Sequence, residues 1–196
     1  MNRRDALMRV AALMGTTLAL PALADTLEAS ATKRAFSGKP LLFTADQDTL
    51  VAEMTEVIIP TTSTPGAKAA KVNEIIDIIL KDCYPQKDQK TFLDGLAHTN
   101  ELSQAAYSKN FVALDTTQKN DIMTKLQAEA AEQRKAMASM PMEKRTTPFF
   151  NTLKTLTLNG YFTSEIGATQ ALSYIAVPGR FQGCVDLKPG QKAWAT

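Results

Sequence analysis

Between residues 72 and 80 the chain places Val72, Ile75, Ile76, Ile79 and Leu80 at alternating steps of three and one. This spacing gathers all five side chains on one face of a helix, whereas a strand would scatter them over both faces. A helix with so apolar a stripe has to bury it against another element. Runs of strict apolar–polar alternation, the mark of a half-buried strand, are almost absent. The elements available to cover the stripe are therefore other helices.

The same period recurs along the chain. Thr44 followed by Gln47 forms a capping-box pattern, and Leu50, Val51, Met54, Val57 and Ile58 repeat at helical spacing until Pro60. "PTTSTPGA" is a turn-rich connection to the helix with the stripe. A third helix is predicted from about Pro85, with Phe92, Leu93, Leu96 and Leu102 inward and Gly95 weakening it by up to ~1 kcal/mol. Asp115 and Gln118 repeat the capping box ahead of Ile122, Met123 and Leu126. The tail of that helix, "QAEAAEQRKAMASM", is poor in large apolar groups and is expected to be exposed, with "PMEKRTTP" as a loop. Phe149, Phe150, Leu153 and Leu156 mark a fifth helix. Gly160 is expected to interrupt it, and Thr163, Ser164 and Glu165 to begin a new turn. Beyond Tyr174, prolines and glycines predict an irregular surface tail. The fold class is all-α: an irregular bundle of about five helices with an extended C-terminal tail, occupying residues 41–196.

The start of the chain differs from this body. Arg3 and Arg4 precede an apolar run from Val10 to Leu20, which is shorter than the roughly 20 residues a membrane-spanning helix needs. Pro21 and the small-x-small triplet ending at Ala24 follow. Residues 1–24 thus read as a signal peptide cleaved after Ala24, and the arginine pair suggests twin-arginine export of a folded protein, though the preferred aromatic after the pair is missing. Residues 25–40 read as a flexible linker. The full chain has 22 basic and 20 acidic residues. Removing the leader takes away Arg3, Arg4, Arg9 and Asp5 and leaves the mature chain neutral. A neutral chain lacks the electrostatic drive for binding nucleic acid.

Chemistry-bearing motifs are scarce. His98, the single histidine, sits mid-helix beside Thr99 and Asn100 and reads as a surface residue. Clusters of cysteine and histidine for zinc, a C-x-x-C-H haem attachment, and glycine-rich phosphate or dinucleotide loops are all missing. Catalytic and metal-ligating residues are accordingly none, and no cofactor is expected in this chain. The carboxylate pairs Glu53 with Glu56 and Asp77 with Asp82 have lysines nearby and read as solvated helical faces. Met137, Met140 and Met142 read as a loop beside a helix end, with soft-metal binding as the alternative. Cys83 and Cys184 are candidates for a disulfide, which an oxidising compartment permits; the alternative is two small buried thiols. A bridge would close a loop of about 100 residues, which the chain-entropy model values at roughly 4–5 kcal/mol.

Four stretches carry a likeness: "NRRDALMRVAAL", "VIIPTTSTPGAKAAKV", "DCYP" and "LTLNGYFTSEIGATQALSYIAVPGRFQGC". In these the chain resembles the gluconate 2-dehydrogenase subunit 3 family, the small subunits of membrane-associated flavoprotein sugar and polyol dehydrogenases. Arg3 and Arg4 match the family's export pair, and Pro60, Pro65 and Gly66 its proline–glycine turn. Gly160, Tyr161, Phe162, Thr163, Glu165, Gly167, Pro178, Gly179, Arg180 and Cys184 match its C-terminal motif. The resemblance implies a non-catalytic subunit that escorts an FAD-bearing partner of the glucose–methanol–choline type through the twin-arginine translocase into the periplasm. A multihaem cytochrome c often completes such complexes.

Within this motif Tyr161 and Phe162 are large, stiff groups of the kind that anchor interfaces. Glu165 can cap a helix or meet a partner cation, and Arg180 can reach out bidentately. These four residues are the candidate partner interface; the alternative is that the aromatics fill the bundle's own core and Arg180 ties down the tail. Two rival readings of the whole chain are a stand-alone periplasmic helical binding module and an enzyme with an unrecognised site.

Overall fold

The computed structural model describes residues 40–141, 145–177, 179, 180, 184, 186 and 188–195. The expected signal peptide with Arg3, Arg4 and Ala24, the linker up to Lys39, Met142 and Pro178 lie outside the described residues. Five α-helices are present among those described: α1 Ala45–Ile58, α2 Val72–Cys83, α3 Gln86–Tyr107, α4 Thr116–Ala138 and α5 Phe149–Thr163. A 3₁₀ turn at Phe111–Ala113 links α3 to α4, and a π-helical turn at Gly167–Ala171 follows α5. The described residues form no strand beyond an isolated parallel bridge between Ser173 and Trp194. The fold is the all-α bundle that the apolar periods predict.

Both predicted capping boxes are formed. Thr44 accepts from the backbone of Gln47 at the start of α1, and Asp115 from that of Gln118 at the start of α4, while each glutamine side chain bonds back to its cap's backbone. The stripe of α2 is sorted by depth: Val72, Ile76 and Leu80 are buried, and Ile79 packs at the margin of the core. α5 is the organising element, because it packs against each of the other four helices. Phe92 of α3 stacks on Phe43 and meets the edge of Phe149, with ring centroids 5.9 and 5.0 Å apart.

Gly95 has a reason that helical propensity alone hides. A Cβ placed there would overlap the ring of Phe149, so the missing side chain is what lets α5 approach α3. The tail of α4 is mostly exposed, as its composition predicts. No helix among the described residues is long and apolar enough to cross a membrane.

Candidate functional site

The motif residues converge at the C-terminal end of α5. The helix runs through Gly160 without interruption and ends at Thr163, which corrects the expected break at that glycine. Gly160 instead lies close against α2, where a Cβ would stand 3.2 Å from Val72 Cγ1. One residue on, Tyr161 is 2% exposed and sits in the core. Its hydroxyl donates to the carbonyl of Pro65 at 2.6 Å. The tyrosine thus ties the helix end to the proline–glycine turn nearly a hundred residues earlier.

Ser164 performs the predicted restart. Its Oγ donates to the Tyr161 carbonyl at 2.6 Å and accepts from the Gly167 amide at 3.0 Å, satisfying a donor at the head of the next turn. Gly167 then passes so close to Tyr161 that a Cβ would overlap that residue's carbonyl oxygen. Only a residue without a side chain fits at this crossing.

The turn on the other side of the contact is held by carboxylates. Glu56 Oε1 accepts from the Thr61 amide at 2.8 Å and from its hydroxyl at 2.7 Å, while Oε2 accepts from the Lys68 amide at 2.9 Å. Thr61 Oγ1 in turn accepts from the Gly66 amide at 3.1 Å. Glu53 is paired with Lys68 and, at 3.0 Å, with Lys119 of α4. Burial pushes the Glu53 pKa up, but hydrogen bonds from Lys68 and Lys119 outweigh it and hold the carboxyl below its ordinary value. Asp77 is buried and caps the segment entering α1: Oδ1 accepts from the amides of Leu42 and Phe43 at 3.0 and 2.9 Å, and Oδ2 from that of Leu41. The expectation of solvated faces for Glu53, Glu56 and Asp77 is therefore corrected. Glu56 and Asp77 lie where backbone amides need acceptors, and Glu53 where two lysines from other elements converge, demands that sequence spacing does not display.

The remaining candidates are dispersed. Phe162 points outward at 40% exposed, its ring edge-on to Tyr161 with centroids 5.2 Å apart. Glu165 and Arg180 are exposed. Cys83 and Cys184 are both free thiols and both exposed, so the expected disulfide is absent and so is the buried-thiol alternative.

His98 lies in a cleft of about 250 Å³ between α3, α4 and the start of α5. Its Nε2 is 3.0 Å from Glu129, and Nδ1 is 3.7 Å from Glu101. The hydroxyl groups lining this cleft belong to threonines: Thr91 donates to the Lys87 carbonyl and Thr146 to Met137 Sδ, and neither is bonded to His98. Nor does the lining include lysine or arginine, while Asp94 and Glu129 add negative charge; the cleft does not suit the pyrophosphate of a flavin dinucleotide. The described residues contain no group of three histidine, cysteine, aspartate or glutamate side chains placed to hold a metal ion.

Residues 45–179 match the family model described as gluconate 2-dehydrogenase subunit 3. The chain belongs to the gluconate 2-dehydrogenase subunit 3 family. The matched span runs from α1 through the π-helical turn and so includes the Tyr161–Pro65, Gly160–Val72 and Gly167–Tyr161 contacts that knot the end of α5 to the rest of the bundle. No curated protein and no solved structure matches the chain. Membership in a family of third subunits is consistent with an accessory subunit of an oxidoreductase, associated with a gluconate 2-dehydrogenase complex. Within this subunit-3 domain, the motif residues Pro65, Gly160, Tyr161 and Gly167 hold helices and turns together, and Phe162, Glu165 and Arg180 face solvent.

Proposed function

We propose that this chain is the non-catalytic small subunit of a membrane-associated, FAD-dependent sugar or polyol dehydrogenase of the glucose–methanol–choline type. It escorts the flavoprotein through twin-arginine export to the periplasm and stabilises it there. The flavin belongs to the partner, and haem c belongs to a third, cytochrome subunit where one is present. The observation that carries this reading is the family match over residues 45–179. The chemistry of the body supports it: the carboxylates at the α5 knot are occupied by backbone amides and lysines, and the lining of the His98 cleft includes no lysine or arginine for the phosphates of a dinucleotide.

The test is coexpression with a flavoprotein of the glucose–methanol–choline type from the same genome, with and without this chain. With it, flavin-loaded dehydrogenase should be recovered from the periplasm. Without it, the flavoprotein should stay in the cytoplasm or lose flavin. Arg3→Lys with Arg4→Lys should hold both chains in the cytoplasm. A flavoprotein that reaches the periplasm fully loaded on its own would end the proposal.

A further inference from the structure

The helix α4 outruns the core that supports it. Its buried side chains are Ile122, Met123, Leu126 and Ala130, and from Ala131 to Ala138 none is buried. No apolar side chain of that last segment packs on the hydrophobic core. The end of α3, a helix of nearly equal length, is different. There Leu102 and Tyr107 pack on the core, Ser103 is buried, and the Tyr107 hydroxyl donates to Asp121 at 2.8 Å. The end of α4 keeps its helical form through composition, since alanine, glutamate, glutamine, arginine and lysine are all strong helix formers. Its ion pair, Lys135 with Glu132, lies within the segment and ties it to nothing else.

The side-chain bonds that hold this segment to the body are polar and sit at its two ends. Just before it, Glu129 meets His98 Nε2 of α3 at 3.0 Å. Just beyond it, the Arg145 guanidinium donates to the Met140 carbonyl at 2.9 Å and to the Ala138 carbonyl at 2.8 Å, and the Thr146 hydroxyl to Met137 Sδ at 3.7 Å. Between these ties lies the cleft of about 250 Å³. Leu126, Glu129, Ala130 and Gln133 line it at helical spacing, so one face of α4 is a wall of the cleft, opposite Phe149 at the start of α5.

We propose that residues 131–138 are a movable wall of this cleft. They open locally, from Ala130 outward, while the rest of the bundle stays folded, and the Arg145 contacts are the latch that sets how often. Opening a segment costs little where it buries few apolar side chains and its backbone bonds face solvent, and the end of α4 meets both conditions. It breaks surface hydrogen bonds and leaves the core intact. Ala130, 4% exposed with the wall closed, then gains access to solvent, and the cleft widens over Phe149. The device depends on nothing outside this chain.

The experiment is hydrogen–deuterium exchange of the full chain under native conditions. In the wild type, amides of residues 131–138 should exchange at least about tenfold faster than those of residues 122–130. They should also exchange faster than the last two turns of α3, residues 100–107, which separates opening from the fraying common to helix ends. Arg145→Ala should speed exchange of residues 131–138 several-fold and leave α1, α2 and α3 unchanged. Thiol labelling links the motion to the cleft. In a Cys83→Ser, Cys184→Ser background, an Ala130→Cys thiol should react with a maleimide faster on adding Arg145→Ala, by the same factor as the exchange. Equal protection along α4, or equal exchange at the ends of α3 and α4, overturns the proposal, and this wild-type comparison needs no variant to fold. Faster exchange without faster labelling overturns the wall and leaves a frayed helix end. Faster exchange throughout the bundle in Arg145→Ala overturns the latch, because Arg145 would then support the whole fold.

Discussion

Tyr161 and Phe162 are neighbours in sequence and opposites in the structure. One is 2% exposed with its hydroxyl bonded to Pro65, the other 40% exposed with only its edge on the first. The difference separates two regions at the same helix end. The inward region is a knot of close crossings and satisfied polar atoms; the outward region is the exposed side chains of Phe162 and Glu165. A motif that runs through both therefore serves the fold at some positions and the surface at others. Which position does which is set by the helical rotation of about 100° between successive residues.

The largest expected effect tests this division directly. Tyr161→Ala removes a fully buried ring and its hydroxyl's bond, and should cost about 3–5 kcal/mol in chemical denaturation. Phe162→Ala should cost no more than about 1 kcal/mol, since much of that ring is already in water. Equal losses at the two sites would mean that the inward and outward regions are one core, and the comparison would collapse.

The helical body was largely readable from the sequence, and the knot was not. Capping boxes at Thr44 and Asp115, the α2 stripe and the exposed tail of α4 all follow from local spacing, and each has the predicted form. Spacing fails where the cause lies far along the chain. Gly95 reads as a weak point in α3 until Phe149 arrives from α5 to fill the space above it. Gly160 reads as a break until Val72 is seen across from it. Glu53, Glu56 and Asp77 look like solvated charges because their amide and lysine partners belong to other elements. The free state of Cys83 and Cys184 is a matter of relative position, about which their number says nothing. For the candidate interface, the sequence named Tyr161, Phe162, Glu165 and Arg180; Tyr161 is corrected to a core residue, and the other three are exposed. It gave no sign that the tail at Trp194 pairs with Ser173, because that link is a backbone bridge between segments about twenty residues apart.

A second effect sharpens the inward half of the comparison. Asp77 accepts three backbone amides, from Leu41, Leu42 and Phe43, at the entrance to α1. Asp77→Ala leaves these donors without their acceptor and should destabilise the domain by about 3 kcal/mol, given roughly 1–3 kcal/mol for each unmet buried group and partial rescue by water. Asp77→Asn keeps one acceptor oxygen and should lose less. The exposed Glu165 of the outward region has no comparable duty: Glu165→Ala should fall within about 0.5 kcal/mol of wild type by the same denaturation. An Asp77→Ala variant as stable as wild type would show that the segment before α1 is not anchored through this side chain.

The smallest effect concerns pH. Burial works against the ionised form of Glu53, but Lys68 and Lys119 prevail, and its folded-state pKa lies below the ordinary value of 4.5. A carboxyl depressed on folding contributes stability that is fully present above its unfolded pKa and is lost as pH falls through the folded one. Acidification below about pH 4.5 should therefore weaken the wild type more than Glu53→Gln, which has no proton to take up. The pair is partly exposed and screened by salt, so the gap between the two should stay under about 1 kcal/mol and shrink at high ionic strength. Denaturation curves from pH 7 to pH 3 would measure it. The opposite order, with Glu53→Gln the more acid-sensitive, would place the pH dependence of the body in other carboxylates. Glu53 would then be a spacer between α1 and α4, with its ion pairs adding nothing to the fold.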